Sequence, residues 1–358
     1  MRTYQQVMIY HQKDCQLPVY DEVDVLVCGG GPAGVAAAET AARRGQKTLL
    51  VERLGFLGGA AVAGYSGTIC GLFYCSNTPE KDGPRQAVFG WTDRFYKEML
   101  RRGHVTKPQL YGKTYLVPFD PQGWKEAAED MVLASGAVIL YHSTILGVIK
   151  NGEQFTGAVI STKSGIAQIR AKIIIDATGD ADLFCRGGLA FTMGDNGHIQ
   201  NPTMIFRLGG VDVGRFKAWW GEDSISPDKV TEKMREVNKK KAYHLPRLKV
   251  WVYPTNRPGE LFMNVTMISG KDGRALNVCD PDDHTEAEQV ARKQVYEYAC
   301  FFKEYIPGCE ESFVNDFSCE VGVRQTRSIV GVEQLKNQDV ADAKKRPDGI
   351  VRCPWPIE

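Results

Sequence analysis

The chain of 358 residues contains no apolar run as long as the roughly 18–20 residues that a membrane-crossing helix needs. It also lacks an excess of charge: 44 Lys and Arg stand against 43 Asp and Glu, a formal net of +1. Such a balance sets up no long-range field for nucleic acid or anionic lipid. The triplet Lys239–Lys240–Lys241 reads as a solvated loop or helix end, because no stripe of basic residues accompanies it. Neither nucleic acid nor a membrane is an expected partner. The ten cysteines (Cys15, Cys28, Cys70, Cys75, Cys185, Cys279, Cys300, Cys309, Cys319 and Cys353) contain no C-x-x-C pair, no zinc spacing and no tight iron–sulfur cluster. Most read as packed thiols. His104, His142, His198, His244 and His284 show no paired ligand spacing, so no metal is expected; His198, beside Gln200 and Asn201, stands out most. The stretch through Gln16 lacks the apolar block and cleavage site of a signal peptide. A reducing, cytoplasmic setting is the default. Internal repeats and low-complexity segments are missing too.

What is present is ordinary globular composition, 43% apolar and 24% charged, in a chain long enough for more than one core. Residues 1–20 read as an N-terminal extension. Val23–Cys28 is a β-branched run that ends in Gly29-Gly30-Gly31. Pro32 to Arg44 is alanine-rich with strong helix propensity, and Gly45 closes it. Lys47–Glu52 is a second apolar strand, which completes the start of a βαβ unit. Gly55–Ser76 is too rich in glycine and small residues for a packed helix, but it can lie close to a ligand. Trp91–Arg102 and Pro121–Ala134 read as helices, the latter with Asp120 as N-cap. Val138–Tyr141, Thr144–Ile149, Thr156–Thr162, Ala167–Arg170 and Lys172–Asp176 read as strands, with a hairpin turn at Asn151-Gly152. Beyond Asn201 come strands at Met204–Leu208, Leu248–Tyr253 and Leu261–Met267, and a polar helix near Asp228–Asn238. A long helix follows at His284–Ile306, with an apolar stripe at Ala291, Val295, Tyr298, Ala299, Phe302 and Ile306.

The chemistry centres on Gly29-x-Gly31-x-x-Gly34. The first glycine permits a tight turn, the second lets backbone approach a pyrophosphate, and the third lets helix and strand pack closely. The helix start then offers free N–H groups and partial positive charge to phosphate. A glycine triplet alone is a weak signal. Here it follows a strand, opens a helix, and is followed by Glu52 at the end of the next strand, where a carboxylate can accept from ribose hydroxyls. Glu52 also disfavours a 2′-phosphate, and with it NADP. The glycines do not decide between dinucleotides.

Three further segments resemble the bacterial FAD-dependent oxidoreductase family with a glutathione-reductase-like fold. They are Glu52-Arg53-Leu54-Gly55-Phe56-Leu57-Gly58-Gly59, the run Ala171 to Asp180, and Phe206-Arg207-Leu208-Gly209-Gly210-Val211-Asp212. Val321–Gly331 and the closing Cys353-Pro354-Trp355-Pro356-Ile357 fit as well. The resemblance implies an α/β fold: a Rossmann-type FAD-binding domain with a parallel central sheet and an antiparallel β crossover, and an inserted α+β substrate or cap domain. The expected division is 21–200 for the first part of the FAD domain, 201–319 for the cap and 320–358 for the return. It further implies FAD as cofactor. Gly29, Gly31, Pro32, Ala33 and Gly34 would lie on the pyrophosphate, with Glu52 and its neighbour Arg53 at the adenosine ribose. Gly58 and Gly59 would pass near the pyrophosphate or ribityl chain, and Leu146 would offer backbone to adenine. Ala177, Thr178 and Gly179 would turn back beside the nucleotide, with Asp180 bracing that turn. Chains of that family usually run on past a segment like Trp355-Pro356-Ile357, into a second glycine segment and a flavin-facing helix. The expectation is therefore an incomplete flavin site, open to completion by a second copy or a partner chain.

A flavin carries its own redox chemistry, so the protein need only position a small-molecule substrate and move a proton. Cys70, Tyr65 and Arg324 are the candidates for that work. Cys70 and Cys75 could act as thiols beside a flavin or lie inert. Tyr65 could donate to substrate or simply pack. Arg324 could clamp a carboxylate or form an ion pair, the role that suits Arg327 better. Alternation would put Val321, Val323 and Gln325 on one face and Gly322 and Arg324 on the other. The rival readings are an NAD-dependent dehydrogenase, a flavin monooxygenase, and a flavin-binding subunit or fragment that is inactive alone. The first would need a recognisable catalytic base in a second domain, and the second an aspartate-containing flavin motif; neither pattern is found.

Overall fold

The computed structural model describes residues 7–194, 198–349 and 351–355. The outer part of the N-terminal extension and Pro356-Ile357 of the closing motif lie outside the described residues. Contacts divide the chain into two units. The first comprises residues 1–62, 125–200 and 325–332; the second comprises 63–124, 201–324 and 333–358. The division thus falls within the expected 21–200 segment, at Val62/Ala63 and Trp124/Lys125.

The first unit is built on a seven-stranded sheet. Its elements in chain order are β1 (Ile9–His11), β2 (Val19–Cys28), α1 (Pro32–Arg43), β3 (Thr48–Val51), β4 (Val138–Leu140), β5 (Thr144–Asn151), β6 (Gln154–Thr162) and β7 (Gly165–Asp176). The strand order is β1-β5-β6-β7-β2-β3-β4. Strands β7, β2, β3 and β4 pair in parallel, whereas β5, β6 and β7 form an antiparallel meander. The mixed sheet matches the expected fold class. Leu26, Val27, Cys28, Leu49 and Leu50 are fully buried, as a parallel centre covered on both faces requires. Alanine content and Pro32 in the first turn favour α1, which buries Val35, Ala38 and Ala42 at helical spacing. The Asn151-Gly152 turn joins β5 to β6 with Gly152 at φ +60°, as its residue type predicts.

One expectation needs correction. Ala167–Arg170 and Lys172–Asp176 are not two strands but halves of β7. This strand changes its company along its length: Gly165–Arg170 pairs antiparallel with β6, and β2 runs parallel beside it through Asp176. The pairing with β2 shifts register between Gln168 and Ile169.

The second unit centres on a four-stranded antiparallel sheet. Its strands are β8 (Phe206–Gly209), β9 (Trp251–Pro254), β10 (Leu261–Asn264) and β11 (Phe313–Phe317), in the order β9-β10-β8-β11. One face of this sheet belongs to the core that includes α2 (Pro281–Tyr305). Phe206, Leu208, Leu261 and Met263 share that core with Ala291, Val295, Tyr298 and Phe302. Each such large side chain contributes about 1.5–3 kcal/mol by leaving water. The helix starts three residues before the expected His284, because the Asp280 carboxylate accepts from the Asp282 and Asp283 N–H groups and Pro281 occupies the first turn. The opposite face carries Ile205, Arg207, Tyr253 and Phe262. Arg207 is therefore a buried cation on a sheet face that is otherwise mostly apolar.

Candidate functional site

Strand β2 delivers the chain to Gly29, at φ +100°. A Cβ there would stand 2.4 Å from the Ala177 carbonyl oxygen. A Cβ on Gly34 would stand 1.8 Å from the Gly29 oxygen, so this glycine sets how closely α1 packs behind β2. Gly31 is different. Its Cβ would meet nothing nearer than the Gly59 Cα at 3.9 Å, and its backbone, at φ −67°, suits any residue. Neither packing nor backbone strain demands glycine at this position. The chain after β3 closes in from the other side: Gly58 N–H donates to Gly30 O at 2.8 Å, and Gly59 leaves no room for a Cβ against Gly31.

Above this cradle α1 begins with Pro32 and Ala33 exposed, no capping side chain and no acidic residue in its first turn. A helix start in that state offers N–H groups and positive dipole to an anion. Glu52, at the end of β3, is buried. Its Oε2 accepts from Gly30 N–H at 2.6 Å and its Oε1 from Leu54 N–H at 2.8 Å. The carboxylate thus fixes both the middle of the glycine loop and the turn that follows β3. Each oxygen keeps a second acceptor direction for a ribose hydroxyl. Arg53 is exposed. Leu146 is the extra residue where the β5–β6 register shifts between Ile145 and Gly147.

At the end of β7, Ala177 N–H donates to Cys28 O at 2.8 Å, which seats the Ala177–Gly179 turn beside the glycine loop. The expected brace is corrected here. Asp176, not Asp180, holds the turn: its Oδ1 accepts from the Thr178 N–H and hydroxyl, at 3.1 and 2.7 Å. Its Oδ2 accepts from Leu183 and Phe184 N–H, both at 3.1 Å, so it also secures the start of the following helix. The Asp-x-Thr spacing was the available signal, since an Asp side chain bonds backbone two residues on. Asp180 instead accepts from the Thr326 hydroxyl at 2.8 Å, and Arg327 reaches its carbonyl and the Asp182 carboxylate. Burial, the largest influence, raises the Asp180 carboxyl above its ordinary value. Arg327 thus forms the ion pair expected of it.

The catalytic candidates lie in the second unit. Tyr65 is half-buried at φ +51°, an uncommon conformation for a bulky residue. Its hydroxyl donates to Asp316 at 3.3 Å, and its ring meets Phe262 edge-on at 6.0 Å. Arg207 binds Asp316 through Nε at 2.8 Å and through Nη2, and Glu260 through Nη1 at 3.3 Å. Burial, the largest influence, raises the Tyr65 phenol, and the Asp316 charge adds to it. The Arg207–Asp316–Glu260 cluster was missed in the sequence, because its members are separated in the chain and only the pairing of β8 with β11 and with β10 brings them together. Cys70 is exposed, with Sγ 3.3 Å from Thr68 Oγ1. Arg324 is exposed. The alternation expected around it gives way to a single bridge between Thr203 and Gly322. Among the described residues no group of three or more His, Cys, Asp or Glu could hold a metal ion, and no helix is long and apolar enough to cross a membrane.

A digeranylgeranylglycerophospholipid reductase from Picrophilus torridus is 33% identical over 165 residues, covering 46% of this chain and 41% of that protein. A thiamine thiazole synthase from Methanococcus vannielii is 28% identical over 166 residues, covering 44% and 56%. The matches thus span about half or less of each relative. The crystal structure of a p-nitrophenol 4-monooxygenase from Pseudomonas putida superposes with a TM-score of 0.51 at 13% identity, covering 88% of this chain and 70% of that one, which shows a shared fold. The model of the FAD dependent oxidoreductase family matches residues 24–358. The open space at Gly31, beneath a helix start with neither cap nor acidic side chain, suits the pyrophosphate of such a cofactor. The chain belongs to the FAD dependent oxidoreductase family, and its cofactor is FAD.

Proposed function

We propose that the enzyme transfers a hydride between a small organic substrate and N5 of its flavin. The observation that carries the reading is the glycine at position 31, which the protein's own packing does not require and a bound pyrophosphate does. When bound, FAD supplies the two-electron chemistry. The residues of the first unit hold it. Gly29, Gly31 and Gly34 shape the pyrophosphate seat, with Pro32 and Ala33 at the helix start above it. Glu52 takes the adenosine ribose with the acceptor capacity that its two backbone bonds leave over, and Arg53 adjoins it. Gly58 and Gly59 border the pyrophosphate or ribityl chain, the Leu146 backbone borders adenine, and Ala177, Thr178 and Gly179 line the nucleotide's other side. Asp180, with its raised carboxyl, keeps a proton to higher pH than an exposed aspartate and can donate it in a hydrogen bond.

Among the catalytic candidates, Tyr65 suits the proton that must accompany a hydride. Its phenol stays protonated, and the Arg207-bound Asp316 orients its hydroxyl. Cys70 and Arg324 lack a comparable setting. The test is anaerobic mixing of the FAD-loaded enzyme with a panel of small alcohols, amines and saturated acids, and of the reduced enzyme with the matching carbonyls, imines and enoates. Deuterium at the reacting carbon of an oxidisable substrate should slow bleaching of the visible flavin band by a primary isotope effect. Bleaching that is indifferent to that deuterium refutes hydride transfer.

A further inference from the structure

In the second unit an exposed thiol lies against a short segment that carries another. Cys75 Sγ donates to the Pro354 carbonyl oxygen at 3.2 Å. Beside it, Arg352 Nη1 donates to the Tyr74 hydroxyl at 2.9 Å. Residues 74–75 are therefore tethered to Arg352 and Pro354, and Cys353 lies in the chain between these two tethered residues. Trp355 anchors the far end by stacking on Tyr111, with ring centroids 5.4 Å apart and planes at 24°. Tyr111 stacks in turn on Trp251 at 6.1 Å. Cys75 and Cys353 are both exposed and free. Cys70, although close in sequence, has its sulfur against Thr68 within its own loop.

We propose that Cys75 and Cys353 are the two halves of a reversible disulfide that staples residues 351–355 to the end of the glycine-rich segment. A disulfide needs Cα atoms about 4.4–6.8 Å apart. A thiol already bonded to the carbonyl one residue past its partner reaches that range by a rotamer change and a small slide of an exposed segment, with no core to rearrange. The oxidant is of the peroxide class. One thiolate attacks a peroxide oxygen, the O–O bond breaks, and the products are a sulfenic acid and water. The second thiolate attacks that sulfur, the S–O bond breaks, and a second water leaves as the S–S bond forms. Two thiols lose two electrons in all, and the peroxide takes them. A thiol reductant reverses the bond.

The FAD-loaded full chain is reduced, freed of reductant, treated with hydrogen peroxide, blocked with iodoacetamide and digested with trypsin and chymotrypsin without reduction. Cleavage after Tyr74 parts Cys75 from Cys70, and cleavage after Arg352 frees Cys353. The expected product is a cross-linked peptide joining Cys75 to Cys353, abolished by reduction. Cys70→Ser keeps it, Cys75→Ser and Cys353→Ser each lose it, and all three reduced variants melt like the parent because the altered thiols are exposed. Trp355→Ala, which removes one aromatic stack, should slow its formation about fivefold. Recovery of Cys75 and Cys353 as separate alkylated peptides after oxidation, or a bond between Cys70 and Cys75 in its place, overturns the proposal.

Discussion

Gly31→Ala separates the cofactor's demand for space from the fold's demand. In the protein alone the new methyl has room, since its nearest neighbour is 3.9 Å away, and the backbone at φ −67° accepts alanine without strain. The stability of the FAD-free protein should therefore change little, or rise by up to about 1 kcal/mol through the stiffer unfolded chain. Binding is another matter. A methyl over the start of α1 holds the pyrophosphate off the backbone N–H groups. Losing one or two charge-assisted hydrogen bonds, each worth about 1.5–3 kcal/mol, weakens FAD affinity by roughly tenfold to twenty-thousandfold. Gly34→Ala is the contrast, because its Cβ would stand 1.8 Å from the Gly29 oxygen and must prise α1 from β2. That variant should lose stability before any cofactor is added. The assays are thermal unfolding of the deflavinated protein and titration with FAD followed by flavin fluorescence. A Gly31→Ala protein that binds FAD as tightly as the parent, or that melts as early as Gly34→Ala, would refute the reasoning.

Glu52→Gln replaces one acceptor oxygen with a donor, so either Gly30 or Leu54 N–H is left unpaired; stability should fall by about 1–3 kcal/mol in denaturant titrations of the FAD-free protein. An unchanged unfolding midpoint would show that the carboxylate's backbone bonds contribute nothing. Arg207→Met strands Glu260 and Asp316 without their cation and should cost about 3–5 kcal/mol at neutral pH; an unfolding midpoint equal to the parent's in denaturant titrations would count against it. Asp180→Asn tests the raised carboxyl. Because the folded state binds that proton more tightly than the unfolded chain, stability falls as pH rises from the ordinary value of 3.8 through the raised one, and the penalty persists above it. The FAD-free Asn variant should then melt higher than the parent at neutral pH and equally below pH 3.8; a lower melting point at neutral pH would reverse that assignment.

The parts that could be read from the sequence are those whose causes are local. Strand β2, helix α1 and the Asn151-Gly152 hairpin follow from β-branched runs, alanine content and turn residues, and each stands within a few residues of its expected bounds. The cradle was legible for the same reason: Gly29, Gly31, Gly34 and Glu52 belong to one short βαβ stretch. What escaped depends on partners distant in the chain. The continuity of β7 was hidden because β6 pairs only with its first half and β2, on the other edge, mainly with its second, which no residue type announces. Asp176 was passed over for Asp180 because both flank the same turn and only the direction of each side chain separates them. Arg207 looked like part of a family-like segment, whereas its chemistry comes from Glu260 and Asp316, which the sheet supplies.

The pairing of β2 with β7 joins Val19 to Gln168 and Cys28 to Asp176, residues separated by most of the first unit's sequence. Closing so long a loop is slow and gains little until the pairing is complete. Yet the wall of the cradle opposite Gly29 is the Ala177–Thr178 turn at the end of β7. A growing chain can therefore form the glycine loop and α1 early, and still have no seat for a dinucleotide until β7 has been made and docked. Cofactor loading becomes one of the last events of folding this unit. FAD bound at this proposed seat would then hold together the strands that took longest to meet.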